Sequence, residues 1–162
     1  MKAVVCAVIF TAGVADSYAA ALSGSFVPLA PSSAVNLSAE GTLDWAHWGL
    51  TSPADFNHLA GTNQIISNYN VLGSQFAAWA NSFPNACSWT NGAPVASASG
   101  TTTAVYVTGL SNGFQIVAGA GTSLRRLRLY LGALAGRARL NASLSDGSAA
   151  LATNLPVSRK RA

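Results

Sequence analysis

Apolar and polar positions alternate along several short runs of the chain. Such alternation predicts strands at 41–50, 101–108, 126–131 and 137–144, and Gly, Asn and Ser turns separate them. In the first of these runs, Leu43, Trp45 and His47 fall on one side and Asp44, Ala46 and Trp48 on the other. No helical pattern recurs between the runs. The sequence therefore predicts an all-β fold, an antiparallel β-sandwich of jelly-roll-like form.

Turn signals suggest which of these strands are neighbours. Asn91-Gly92 follows residues 87–90 and predicts a hairpin. Ser111-Asn112-Gly113 predicts a second hairpin, with 114–117 returning along 101–108. The two runs at 126–131 and 137–144 predict a third. Residues 34–37 and 65–71 are further candidate strands, and 76–79 suit a helical turn.

Composition narrows the class of protein. The chain has 162 residues, of which 50% are hydrophobic and 9% charged, and two are Cys. Intrinsic disorder is excluded by the apolar content, a coiled coil by the shortage of charge, and a disulfide scaffold by the cysteine count. Ser, Thr, Asn and Gly must supply the polar surface. Such a composition favours one domain in an extracellular or periplasmic setting.

The N-terminus has the pattern of a secretory signal. Lys2 precedes an uncharged, mostly apolar run from Ala3 to Ala15, which is shorter than a membrane span, and small residues follow up to Ala19. The predicted organisation is a signal peptide at 1–19, an extended lead-in at 20–37, a β-sandwich at 38–148 and an irregular basic tail at 149–162. The alternative for the first segment is a buried strand. No transmembrane span is expected. Removal of Cys6 with the signal leaves Cys87, which is expected to be a buried hydrophobe.

Basic residues are confined to the two ends of the chain. No Lys or Arg lies between residues 3 and 124. Arg126, Arg128, Arg137 and Arg139 alternate with apolar residues and would line the outer face of a hairpin. Such a patch could hold phosphate or sulfate, but an ordinary solvated face is the simpler interpretation. A nucleic-acid partner is not expected, because Tyr130 is the single aromatic residue that accompanies these arginines in the sequence.

Three patterns could carry catalysis. Asp44-x-x-His47 and Asp55-x-x-His58 bring carboxylates and imidazoles together in sequence, but the spacing belongs to no metal signature. Gly109–Gly113 matches G-x-S-x-G without the helix that a nucleophile elbow needs. We therefore expect no catalytic residues, no metal and no cofactor. A hydrolase using Asp44, His47 and Asp55 is the weakest alternative.

Tryptophans beside polar residues suggest a ligand instead. In secreted β-proteins, exposed indole faces can stack on sugar rings while Asp, Asn and His bind the hydroxyls. The alternative is that the indoles fill the core. The predicted ligand-binding residues are Asp44, Trp45, His47, Trp48 and Trp89. The predicted partner is a polysaccharide or another cell-surface component.

Three stretches carry a resemblance to a known kind of protein. They are GTLDWAHWGL with SPADFNH (41–58), CSWTNGAPVASASGTTTAVYVTG (87–109) and SLRRLRLYLGALAGRARLNASLSDGSA (123–149). The sequence resembles a family of secreted bacterial β-sandwich proteins of uncertain function with a D-W-x-H-W-G motif and an LSDGSA turn. The resemblance implies that Asp44, Trp45, His47, Trp48, Trp89 and Asp146 recur. It also implies further strands after 149, so the divergent ATNLPVSRKRA predicts a domain truncated at its C-terminal edge.

These arguments converge on a secreted, non-enzymatic β-sandwich module that binds carbohydrate or another surface ligand. The runner-up is a structural extracellular-matrix or cell-surface protein without a small ligand.

Overall fold

A computed structural model describes the backbone of residues 2–12 and 20–158. Strands make up 41% of the chain, and one helix of four residues occurs among the described residues. The predicted all-β class is confirmed. Within the same ranges, no helix has the length and apolar content needed to cross a bilayer.

The secondary structure consists of short strands joined by turns. In chain order the elements are β1 (Lys2–Ala12), β2 (Ala34–Asn36), α1 (Leu37–Glu40), β3 (Asp44–Trp48), β4 (Phe56–Leu59), β5 (Asn70–Leu72), β6 (Ala78–Ala80), β7 (Ala86–Trp89), β8 (Gly92–Ala93), β9 (Ala98–Thr101), β10 (Ala104–Thr108), β11 (Gly113–Gln115), β12 (Arg125–Leu134), β13 (Arg137–Ala142) and β14 (Ala152–Ser158).

Seven strands form the largest sheet. Its order is β6-β10-β1-β3-β4-β8, and β12 pairs with β1 as a branch. All pairs in this sheet are antiparallel. Strand β1 pairs with β12 along one edge, and with β10 and β3 in succession along the other. The sheet is therefore assembled mainly from strands that are distant in sequence.

Three smaller sheets accompany it. They are β2-β7-β9, β11-β5 and β13-β14. The pair β2–β7 is parallel, whereas β7–β9, β11–β5 and β13–β14 are antiparallel. An isolated bridge between Ile66 and Ala118 extends the β5–β11 region.

Two apolar clusters cover the two faces of β3. Cluster 1 contains Val35, Leu37, Trp45, Leu59, Phe83, Cys87, Trp89 and Ala104. Cluster 2 contains Ala46, Trp48, Ile66 and Val105. Trp45 and Trp48 are thus in different layers, as the strand alternation predicts. Cys87 is fully buried in cluster 1, which confirms its expected role as a buried hydrophobe.

Several predicted pairings are wrong. Strand β8 pairs with β4, and β7 pairs with β2 and β9, so Asn91-Gly92 does not close a hairpin between β7 and β8. Strand β11 pairs with β5 and not with β10. Residues 76–79 do not form a helical turn: 76 and 77 lie in a loop, and β6 begins at Ala78. A turn sequence reverses the chain, but the partner of each strand is set by packing elsewhere in the fold.

The C-terminal part also differs from expectation. Strands β12 and β13 belong to separate sheets, so the four arginines do not line one hairpin face. Residues 149–162 were expected to be irregular, whereas Ala152–Ser158 form β14 on β13. Pro156 is compatible with this position, because β14 is an edge strand. Residues 20–33 contain no helix or strand, and β2 covers Ala34–Asn36.

Candidate functional site

The segment Asp44–Gly49 starts with a carboxylate that fastens a loop. Both oxygens of Asp44 accept backbone hydrogen bonds: Oδ1 from Trp45 at 2.8 Å, and Oδ2 from Ile65 at 2.7 Å and Ile66 at 2.8 Å. The side chain is fully buried. A buried carboxylate is tolerated when hydrogen bonds replace its hydration. Asp44 therefore joins the start of β3 to the loop before β5.

Trp45 and His47 face cluster 1 together with Trp89. The ring centroid of Trp89 lies 5.4 Å from that of Trp45 and 5.0 Å from that of His47. Trp45 Nε1 donates to Asn91 Oδ1 at 3.1 Å, and Trp89 Nε1 donates to the Val95 carbonyl at 2.9 Å. The indole N–H groups of these two residues are therefore used by neighbouring turns.

Trp48 faces cluster 2 on the opposite side of β3. Its ring stacks on Phe56 with centroids 6.0 Å apart, and Tyr69 meets it edge-on at 6.5 Å. Tyr69 in turn packs edge-on against Phe114 at 5.1 Å. This aromatic row closes the side of the sheet that carries the Asp44 carboxylate.

Gly49 ends the segment at a point where a side chain does not fit. Its φ is +78°, and a Cβ there would lie 3.0 Å from the backbone carbonyl carbon of Ala104 and 2.9 Å from Cγ1 of Val105. Only glycine adopts this conformation with so close an approach to β10. The D-W-x-H-W-G pattern is thus explained residue by residue as packing.

Asp55 organises the turn that follows. Its carboxylate accepts hydrogen bonds from the backbone N–H and hydroxyl groups of both Thr51 and Ser52, at 2.5–2.9 Å. Partial burial tends to raise the pKa of Asp55, but these hydrogen bonds outweigh it and lower the pKa to about 2. The group is an anionic turn anchor at neutral pH.

His47 is the unusual polar group of cluster 1. Among the described residues, neither ring nitrogen finds a partner with normal hydrogen-bond geometry. Burial lowers its pKa to about 4, although the nearby Thr103 backbone and the charge of Asp55 partly oppose this. The imidazole is therefore neutral at pH 7.

The structure brings the five predicted ligand residues close together, but in the interior. Trp45, His47 and Trp89 share one face of β3, and Asp44 and Trp48 share the other. All five side chains are 0–1% exposed. The expectation of exposed indole faces at Trp45 and Trp48 is therefore wrong, since both faces of β3 are covered. Their role in ligand binding stays a prediction, and none of their rings is accessible to solvent.

Other aromatic side chains do reach solvent. Phe76 is 92% exposed and Trp79, on the edge strand β6, is 36% exposed. We call these two residues, with the exposed Leu72 and Leu110, the loop patch. Sequence reasoning missed Phe76 as a surface aromatic, because its neighbourhood in sequence (Phe76-Ala77-Ala78-Trp79) reads as buried. The signal that could have identified it is the surrounding Gly, Ser and Asn turn composition.

A side-chain clamp fixes the loop that carries Phe76. Asn112 accepts from the Ser74 backbone N–H at 3.0 Å and donates to the Thr108 carbonyl at 2.8 Å. Gly73, at φ +94°, leaves the space that the Asn112 amide occupies, because a Cβ there would lie 2.0 Å from Asn112 Oδ1. The turn at 109–112 and the loop at 73–77 are thus held against each other.

The arginine-bearing strand β12 has a different chemistry. Arg128 forms a salt bridge of 2.9 Å with Glu40, and the Tyr130 hydroxyl donates to the same carboxylate oxygen at 2.9 Å. Burial raises the pKa of Tyr130, and the Glu40 charge adds to this effect. Glu40 is therefore an anchor between α1 and β12.

A depression of about 120 Å³ lies beside the turn of Asp55. It is lined by Leu50, Thr51, Asp55, Phe56, Asn57, Pro94 and Val95. Within the described ranges, no three His, Cys, Asp or Glu side chains cluster in a way that could hold a metal ion. Asp44 and His47 project from opposite faces of β3, so the three residues of the hydrolase alternative do not converge.

No family model matches the sequence, and neither a curated protein nor a solved structure matches it. The resemblance to secreted β-sandwich proteins stays a prediction based on the three stretches quoted above.

Proposed function

We propose that the protein is a secreted, non-enzymatic β-sandwich module that binds a polysaccharide or another cell-surface component. The observation that carries the proposal is the exposed aromatic surface of Phe76 and Trp79. The side chains of Asp44, Trp45, His47 and Trp48 are buried in or beside two apolar clusters, so they are not available to a ligand. A rigid core of this kind supports a scaffold whose binding surface lies elsewhere.

The loop patch is the surface that best suits a sugar ligand. Contiguous exposed apolar patches mark interaction sites on protein surfaces, whereas single exposed apolar residues do not. Phe76 and Trp79 present ring surface, and the Asn112 clamp holds the loop of Phe76 in place before any ligand arrives. Gln75 lies beside Gly109 in the same region and could bind hydroxyl groups. Preformed aromatic surface with neighbouring amides is the combination that pyranose rings require.

Affinity electrophoresis through gels containing different polysaccharides tests this proposal. We expect at least one polysaccharide to retard the protein, and Phe76→Ala and Trp79→Ala to abolish most of the retardation. Leu124→Ala is the matched control, because Leu124 is an exposed apolar residue outside the loop patch. Equal retardation of all three variants would remove the loop patch from the proposal. Retardation by no polysaccharide would remove the carbohydrate ligand.

A structural cell-surface role is the second candidate, and one observation favours it. Strand β6 is at an edge of the central sheet and pairs on one side with β10. Edge strands with exposed apolar side chains can associate with other chains. Concentration-dependent self-association that Trp79→Lys abolishes would support this role over the carbohydrate role.

Secretion is part of the same proposal. The basic, apolar and small-residue pattern of residues 1–19 supports export, and the scarcity of charge fits a Ser/Thr/Asn-rich extracellular surface. Mass spectrometry of the exported chain tests it: cleavage after Ala19 or Ala21 is expected.

A further inference from the structure

Strand β1 joins parts of the central sheet that are otherwise separate. Its backbone pairs with β12 from Lys2 to Ala12, with β10 from Lys2 to Val5 and with β3 from Ala7 to Phe10. Among the described pairings, β10 continues only to β6, β3 only to β4, and β12 to no other strand. Removing β1 would therefore divide the sheet into three pieces.

This strand is also the segment that the proposed export step removes. The present inference thus rests on the proposed function. Cleavage after Ala19 takes β1 away and leaves a slot bordered by β12 on one side and by β10 and β3 on the other. The bordering strands would then present unpaired backbone N–H and C=O groups along about ten residues, which is the exposed edge that sheet proteins avoid.

The slot cannot close simply by moving β12 inward. Glu40 holds β12 through Arg128 and Tyr130, each at 2.9 Å, at the spacing that leaves room for one strand. Closing the gap would shift β12 by one strand spacing, about 4.8 Å. Tyr130 packs against cluster 1, and Leu129 and Leu131 pack against cluster 2, so the same shift would separate them from both clusters.

The geometry specifies the strand that fits the slot. All three neighbours of β1 run antiparallel to it, so the direction of an occupant is fixed. Both faces of the adjacent β3 are covered by apolar clusters, and strands buried on both faces are predominantly apolar. A proline in the middle is excluded, because both edges of the occupant are paired. The run AVVCAVIF of β1 (residues 3–10) is uncharged and apolar and contains no proline, and Lys2 and Thr11 lie outside this run near the two ends of the strand.

We propose that the slot is a strand-acceptor site, which the exported protein fills with an extended, uncharged, apolar segment of about ten residues from a partner polypeptide. Affinity then comes from backbone hydrogen bonds on both edges, and selectivity comes from the two apolar faces. In the unprocessed chain, β1 occupies the site in cis. Processing would thus convert a self-contained sheet into a receptor for a strand.

The test uses the exported, processed protein and a synthetic peptide of residues 2–12 labelled at its C-terminus. Fluorescence anisotropy is expected to show saturable binding, and the peptide is expected to raise the melting temperature of the processed protein. A Val8→Pro peptide should bind at least tenfold more weakly, because it loses a ladder hydrogen bond in the middle of the strand. An Ala12→Pro peptide, altered at the strand end, is the matched control and should bind like the original.

Three results would overturn the inference, and each is distinguishable. An exported chain whose mass retains residues 1–19 contradicts both the proposed secretion signal and the slot. A processed, folded monomer that does not bind the peptide of residues 2–12 shows that the sheet has closed. This result contradicts the slot but not the proposed secretion signal. A processed dimer that takes up the peptide only on dissociation assigns the slot to a second copy of the chain and contradicts a separate partner.

Discussion

Strands β3 and β13 have the same kind of alternating sequence but differ in burial. All five residues of β3 are buried, whereas β13 alternates between exposed and half-buried positions along its six residues. In β13 the alternation separates solvent from protein, with Arg137 and Arg139 outward. In β3 it separates one apolar cluster from another, so His47 and Asp44 are buried along with the tryptophans.

The difference lies in what covers each strand. Cluster 1 closes one face of β3, and cluster 2, with Ile66 and the aromatic row of Trp48, closes the other. A polar residue in such a strand must have its hydrogen bonds supplied by the protein, whereas an arginine of β13 obtains them from water. Polar residues of β3 are therefore structural, and substitutions there should have larger effects than any in β12 or β13.

The largest effect is expected for Asp44→Ala. The substitution leaves the backbone N–H groups of Ile65 and Ile66 without their acceptor in a buried loop. Each unsatisfied buried N–H group costs about 1–3 kcal/mol, so the free energy of unfolding should fall by about 2–6 kcal/mol. Urea denaturation measures this change. Asp146→Ala is the control, because Asp146 is exposed and bonds only to Ser148 in its own turn. An unchanged urea midpoint for Asp44→Ala would contradict the structural role of the carboxylate.

Substitution of two tryptophans compares a buried with an exposed position while the residue type stays the same. Trp89→Ala should lower the free energy of unfolding by about 3–5 kcal/mol, because it opens a cavity beside Trp45 and His47. Trp79→Ala should cost less than about 1 kcal/mol, since Trp79 is an exposed edge-strand residue. Thermal and urea unfolding of both variants check the ranking. Equal losses would mean that the loop patch belongs to the core.

The buried His47 predicts a pH dependence that the arginine strands cannot produce. Because its pKa is lowered from 6.5 to about 4, the unfolded chain binds more protons between these values. The stabilisation is therefore complete above pH 6.5 and is lost as the pH falls toward 4, by up to about 3 kcal/mol. Asp55 acts in a separate window, between pH 3.8 and about 2, where its stabilisation is lost in turn.

Urea midpoints at pH 7.5 and pH 4.5 measure the His47 effect. His47→Gln should remove most of the difference between the two midpoints, whatever its own stability. A pH dependence that survives in this variant would assign the effect to another group.

The smallest effect is expected at Arg128. Its salt bridge with Glu40 is partly solvated, with side chains 48% and 30% exposed. Arg128→Ala should therefore change the free energy of unfolding by less than about 1 kcal/mol, and salt should reduce even that difference. Tyr130→Phe, which removes the more buried contact to Glu40, should cost more than Arg128→Ala. The reverse order would contradict the assignment of the Tyr130 hydroxyl as the more buried contact to Glu40.

The sequence predicts the local features of this fold better than the distant ones. The two faces of β3 and the short strand at 34–36 follow from alternation alone, and both are present. The pairing of β8 with β4 and of β11 with β5 does not follow, because each depends on packing between segments that turn signals do not connect. The burial of His47 and both tryptophans could not be read from β3 itself, since alternation does not reveal whether the second face is covered.

The candidate surface was missed for a related reason. Phe76 has an apolar sequence neighbourhood, yet the Asn112 clamp turns its loop outward. The Asn112 side chain bonds to the Ser74 backbone, 38 positions away in sequence. Hydrophobic periodicity does not predict a contact of this kind.

The sheet order also determines when this protein can fold during its synthesis. Strands β3 and β4 can pair as soon as the ribosome has released them, but β2 must wait for β7, and β10 and β12 are made long after the strand they border. Pairings between such distant segments form slowly, because the entropy of closing a long loop is lost before the stabilising contacts form. The central sheet can therefore be completed only after β12 has been synthesised.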